Sequence, residues 1–87
     1  MGFSKEVIQE AWDRAGGRCE CRRTNCKHGG LRCNKELVWK NRSEGERGAW
    51  EAHHITAVAS GGTDTVSNCE ILCLDCHKKT RSYGRHD

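Results

Sequence analysis

Hydrophobic positions are sparse along this chain and fall into a few short groups. Val7, Ile8, Ala11 and Trp12 recur at i, i+1, i+4 and i+5, the spacing of one face of a short amphipathic helix. Ser4 precedes them as an N-cap, with an incomplete capping box because Val7 stands where Glu or Gln would close it. Gly16-Gly17 ends the helix and leaves Asp13, Arg14 and Arg18 exposed. Trp12 is expected to pack against a layer of cysteines. Leu37-Val38-Trp39 is the next apolar run, a strand or a packing segment, and the polar stretch 41–48 that follows reads as a hairpin-like or mobile loop.

From Trp50 the pattern sharpens. Residues 51–55 carry little helix punctuation and lead into a loop closed by Gly61-Gly62. Residues 69–73 (CEILC) form a short strand, and helix formers with basic side chains run from Cys76 to Gly84, with 82–87 as a frayed tail. The predicted order is strand, long loop, strand, helix. A C-x-x-C sits at the last strand-to-helix turn.

Composition explains why cysteines matter here. The chain has 87 residues, of which 34% are hydrophobic and 6% aromatic, with ten glycines. One domain of this size buries a modest core and often needs a staple. No apolar run approaches a membrane span and no apolar signal core opens the chain, so a cytoplasmic protein without a membrane partner is expected. In that setting C-x-x-C denotes metal or redox chemistry more often than a disulfide framework, and a count of seven cysteines cannot pair completely. The net charge of +3 is a mild bias, compatible with nucleic acid. Its placement is uneven: Arg22, Arg23 and Lys27 form one cluster, and Lys78, Lys79, Arg81 and Arg85 another.

Cys73 and Cys76 at a tight turn can both point at a tetrahedral zinc ion, and need a second pair from elsewhere. Cys21 and Cys26 are the preferred partners, with Cys19 or Cys33 as alternates. A second zinc, drawing on His28 and the spare cysteines, is a further possibility. Cys69, on an aliphatic strand, reads as a small buried hydrophobe. Structural zinc would supply folding free energy on the order of 10 kcal/mol. His53 and His54 are consecutive, so on a strand they point to opposite sides. One can bind a metal while the other faces a phosphate. His77 follows the last zinc cysteine and is able to reach back towards the strand that carries His53.

This ordered set resembles the HNH endonuclease family, in its zinc-bearing branch. The residues that carry the resemblance are His53-His54, Asn68, and His77 within LCLDCHKK, together with GRCEC, HHITAVASGGT and C-x2-CHKK. It covers about residues 17–81. It implies a small α+β fold: a ββα-metal (His-Me finger) core with an N-terminal helix, stapled by a structural zinc. Residues 1–87 are then a single nuclease domain, with a zinc-knuckle region at 17–40 and the ββα-metal core at 50–83. By the resemblance His53 holds a position commonly occupied by an Asp metal ligand, His54 is the general base, Asn68 ties the loop and orients the base, and His77 is the second protein ligand of a catalytic cation. Two imidazoles without a carboxylate favour Mn²⁺, Co²⁺, Ni²⁺ or Zn²⁺ relative to Mg²⁺.

The implied activity is divalent-metal-dependent hydrolysis of DNA, double-stranded in the first instance, leaving 5′-phosphate and 3′-hydroxyl ends. Lys78, Lys79 and Arg81, with Arg22 and Arg23, are candidate phosphate contacts, which give affinity without sequence choice. Low intrinsic specificity follows, or targeting by a homodimer or a partner protein. The competing reading is a noncatalytic zinc-finger-like nucleic-acid-binding module, which would need the cysteines but not His53, His54 and His77.

Overall fold

The structure is a computed structural model that describes residues 2–24, 26 and 28–80. Helix α1 spans Lys5–Ala15, capped by the Ser4 hydroxyl, which accepts from the Val7 amide at 3.2 Å. It stops at Gly16, whose φ of 67° places it in the left-handed region that glycine occupies without strain. Strand β1 (Trp50–His54) pairs antiparallel with β2 (Cys69–Cys73), with Trp50 opposite Cys73 and His54 opposite Cys69. Helix α2 (Leu74–Lys78) follows β2 without a linker and lies against both strands. Its start is two residues earlier than the helix formers from Cys76 indicated. Among the described residues, no helix is long and apolar enough to cross a membrane.

Among the described residues between α1 and β1 there is no strand or α-helix, yet the backbone at 17–21 and 33–37 is ordered by cross-pairing. Leu37 donates to the Gly17 carbonyl, Cys19 to Lys35, Asn34 to Cys19, and Cys33 to Cys21. Residues 17–21 and 33–37 therefore run antiparallel as a knuckle, which brings Cys19, Cys21 and Cys33 to one place. Glu20 fastens this knuckle to the edge of β2: its amide donates to the Ile71 carbonyl at 2.8 Å, and its carboxylate accepts from the Ile71 amide at 2.9 Å. Arg14 locks the same corner, donating to both Glu20 carboxylate oxygens and to the carbonyls of Val66 and Cys69.

Leu37 of the expected apolar segment is buried, whereas Trp39 begins a short 3-10 turn and is partly exposed. Trp12 packs against the cysteine-containing core cluster and also meets two other tryptophans. Its ring lies 4.8 Å from Trp50 and 5.1 Å from Trp39, an aromatic cluster that joins α1 to the start of β1. Elsewhere the core is rich in sulfur: six of the thirteen buried members of its cluster are cysteines, beside Ile8, Ala11, Leu37, Ile71 and Leu72. Aliphatic burial alone is thin for a chain of this size.

The loop between the strands is held by close backbone approach. The Gly62 amide donates to the Ala57 carbonyl at 2.9 Å, and a Cβ at position 62 would run into the Thr56 carbonyl oxygen. Gly62→Ala is accordingly expected to destabilise the fold by about 1–3 kcal/mol, the range for forced overpacking. A urea unfolding curve checks this, with an unchanged midpoint as the contrary result.

Candidate active site and metal centre

Strand alternation separates the paired histidines. Trp50, Ala52 and His54 lie on one face of β1, and Glu51 and His53 on the other. His53 is buried and stands opposite Glu70 in the register. Helix α2 brings His77 over this face, so that the His53 and His77 rings lie 5.5 Å apart, edge to face at 71°. Burial lowers the pKa of His77, partly offset by Glu51 and reinforced by Arg23. A neutral imidazole is the form that ligates metal. Two imidazoles converging at the end of a short strand fit the donor set of a divalent cation that keeps its remaining positions for water and phosphate.

His54 faces the opposite way. Its ring stacks on Phe3 at 3.9 Å, and its Nε2 lies 2.7 Å from Asp64 Oδ1. Both contacts fix the ring. With the Nε2 proton donated to Asp64, Nδ1 carries the lone pair. Neither Phe3 nor Asp64 emerges from the sequence: Asp64 lies in a Gly/Thr-rich loop ten residues beyond its partner, with nothing periodic to mark it.

Asn68 closes that loop. Its Nδ2 donates to the carbonyls of Thr56 at 3.0 Å and Thr63 at 2.9 Å, while its Oδ1 accepts from the Thr56 amide at 2.8 Å. Both ends of the Asp64-bearing loop are thus tied to one buried side chain. The Asn68 backbone also accepts from Ile55, directly after His54.

All seven cysteines lack disulfides, and six of them gather into two groups that share one member. Cys19, Cys33, Cys73 and Cys76 form one; Cys21, Cys26, His28 and Cys76 form the other, with the ligand atoms of each group within 4.8 Å of one another. The expected quartet of Cys21, Cys26, Cys73 and Cys76 is therefore divided. Cys76 meets Cys21 and Cys26, whereas Cys73 lies with Cys19 and Cys33. Cys69 is fully buried outside both groups, and burial raises its pKa to about 11, the behaviour of a small core residue. Within the first group a hydrogen bond from Cys19 holds Cys73 down to about 5, and the same bond raises Cys19. Thiols that crowd closely enough to share protons are thiols a cation can bind by displacing them. These Cys/His clusters are of the kind that hold a structural zinc.

The basic candidates differ in how far they are committed. Arg22, Lys78 and Lys79 are exposed. Arg23 is half-buried, donating to Glu70 at 2.9 Å and to the Cys21 sulfur at 3.5 Å, so its charge is engaged within the fold. Lys27, Arg81 and Arg85 lie outside the described residues.

A small α+β core of two antiparallel strands and a helix, with histidines on the first strand and the helix and a Cys/His cluster beside them, is the architecture of ββα-metal nucleases. Family comparison reaches the same class. Residues 26–82 match the HNH endonuclease family, and the chain belongs to that family. A shorter similarity is found to the Type IV methyl-directed restriction enzyme EcoKMcrA of Escherichia coli (strain K12), 48% identical over 29 residues. That stretch is 33% of this chain and spans 10% of the length of that enzyme.

Removing the Asn68 amide would leave two carbonyls and an amide of the loop without partners. Asn68→Ala is expected to cost about 1–3 kcal/mol by thermal or chemical unfolding. Asn68→Asp should fare no better at neutral pH, because a carboxylate cannot donate to the Thr56 and Thr63 carbonyls. A stability equal to wild type in either variant would show that the loop is held by other contacts.

Proposed function

We propose that the chain is a divalent-metal-dependent DNA endonuclease that hydrolyses phosphodiester bonds with His54 as general base and low intrinsic sequence specificity. The observation that carries this reading is the division of labour on β1. His54 is fixed by Asp64 on one face, and His53 faces His77 on the other. A zinc-binding module without activity needs neither arrangement.

In this reading His53 and His77 hold the catalytic cation, of which Mg²⁺, Mn²⁺, Co²⁺, Ni²⁺ and Zn²⁺ are candidates. When bound, that cation supplies Lewis-acid polarisation of the phosphate and neutralises charge on the departing oxygen. Nδ1 of His54 takes the proton from water, a task to which imidazole is matched near pH 7. Asp64 acts through His54 as a positioning residue: it accepts from Nε2–H, fixes the tautomer, and stabilises the imidazolium once the proton has moved. Asn68 keeps the loop that carries Asp64 in register with the strand. Lys78, Lys79 and Arg22 contact phosphates, with Arg81 beside them in sequence and Arg23 contributing through the local field. Such contacts carry no base information, so target choice would come from a second copy of the chain or another protein. The restriction role belongs to the relative's own name.

Plasmid cleavage tests the base. The chelator treatment should be mild enough to leave the zinc count unchanged, and each divalent cation is then returned in turn. His54→Ala should cut about 10²–10⁴-fold more slowly than wild type, the range for loss of a general base. Undiminished cutting by folded His54→Ala protein would overturn the assignment. Asp64→Ala should lose about 10–100-fold, the effect of removing a group that orients a base or ligand at one remove. Its DNA affinity by anisotropy should be unchanged, and an equal loss of affinity would instead make Asp64 part of the DNA-binding surface. His53→Ala with full metal-dependent activity would move the cation elsewhere.

A further inference from the structure

The two cysteine groups meet at a single sulfur. A tetrahedral zinc ion with bonds of about 2.3 Å to sulfur and about 2.0–2.1 Å to nitrogen sets its ligand atoms roughly 3.4–3.8 Å apart. The sulfurs of Cys21 and Cys26 are 3.6 Å apart, and Cys76 Sγ lies 3.4 Å from His28 Nε2. Both edges already have the length that an ion between them requires.

The surroundings of the second group are those of ligands. His28 Nδ1 lies 2.6 Å from the Leu31 carbonyl oxygen. A carbonyl only accepts, so the ring proton resides on Nδ1, and the Nε2 lone pair is directed at Cys76. Anchoring of the distal nitrogen in this way is how metal-bound histidines are commonly oriented. Cys21 Sγ accepts from the Arg23 amide at 3.4 Å and from its guanidinium at 3.5 Å, charge-assisted support for a thiolate. In the first group, Cys19 Sγ accepts from the Cys73 amide at 3.2 Å. Each group thus has both its ligands and the donors that steady them.

One tetrahedral ion takes four ligands, but seven donors converge here. Filling either group alone would leave three oriented donors next to it, two of them cysteines buried against the core. Filling both makes Cys76 common to two ions. Two divalent ions with six thiolates and a neutral imidazole leave a charge of about 2−, and the cavity at this cluster is lined by Lys78 and Lys79 and by Lys35, which also pairs with Asp75 at 3.6 Å.

We propose that the chain holds a binuclear zinc cluster in which the Cys76 thiolate bridges the ions, one completed by Cys19, Cys33 and Cys73 and the other by Cys21, Cys26 and His28. The proposal shares with the functional reading the premise that these cysteines bind zinc, and is independent of catalysis. It makes the residue before His77 the point on which both ions converge. The start of α2 is then fixed from two directions.

Reconstitution of the full chain with ¹¹³Cd, followed by cadmium NMR and elemental analysis for zinc on the native protein, tests it. Two sulfur-rich resonances with mutual ¹¹³Cd–¹¹³Cd coupling through the shared thiolate are expected. Any cation at His53 and His77 would resonate separately, in the nitrogen/oxygen region, and would not be counted with them. A single sulfur-rich resonance, or two without coupling, would overturn the bridge and leave a mononuclear zinc site in place. Absence of both cadmium and zinc from folded protein would overturn the zinc reading altogether. His28→Ala should lose one of the two ions while His28→Cys keeps both; two ions retained by His28→Ala would remove His28 from the ligand set.

Discussion

Sulfur from three separate stretches of chain converges on Cys76, and the rest of the molecule is arranged so that it can. The knuckle of residues 17–21 and 33–37 delivers Cys19, Cys21 and Cys33, the turn between its two arms delivers Cys26 and His28, and the β2–α2 junction delivers Cys73 and Cys76 itself. Without a cation this is a poor core. Thiols are small, several must share protons, and the aliphatic residues beside them are few. Bound zinc would turn the same crowding into the strongest link in the fold, because each ion joins the N-terminal knuckle to the C-terminal strand and helix.

That link matters for the candidate active site because the histidine pair and the Cys/His cluster share an element rather than a cavity. Helix α2 is five residues long, too short to be stable by propagation alone, and its position is inherited from what precedes it. Cys73 caps it, Cys76 lies inside it, and His77 follows. The register of β1 against β2 then determines where His53 stands relative to His77. The opposite face of β1 is organised by uncharged contacts and one carboxylate: Phe3 against His54, Asp64 at its Nε2, and Asn68 holding the loop. The Cys/His cluster at the β2–α2 junction and the loop tied by Asn68 hold the two-stranded sheet from two directions.

Arg14 and Glu20 show how a polar surface can do the work of a larger core. Their paired hydrogen bonds, together with Arg14 donating to Val66 and Cys69 and Glu20 accepting from Ile71, connect α1, the knuckle, the loop turn and β2 at one corner. Arg14 is exposed by area and central by connectivity. Charge pattern alone places it on a solvated helix face, which is where it is, without revealing which carbonyls its guanidinium reaches.

The sequence determined the local elements that rest on short-range physics. Ser4 and Gly16 bound α1, alternation defines the strand at 69–73, and the order strand, loop, strand, helix follows from punctuation within a few residues. It also identified the chemically distinctive residues, since the His-His pair, Asn68 and C-x-x-C-H are uncommon enough in combination to name a family. What it could not determine was partnership. Cys21 and Cys26 were legible as candidate ligands, but their meeting with His28 and Cys76, and the meeting of Cys73 with Cys19 and Cys33, depend on a knuckle built from backbone hydrogen bonds between residues about fifteen apart. Those bonds leave no periodic trace in side chains. Trp12 likewise finds Trp39 and Trp50, and His54 finds Asp64, through loop closures whose geometry the side-chain pattern does not encode. Residue type set what each group could do; the tertiary structure alone decided with which neighbour it would do it.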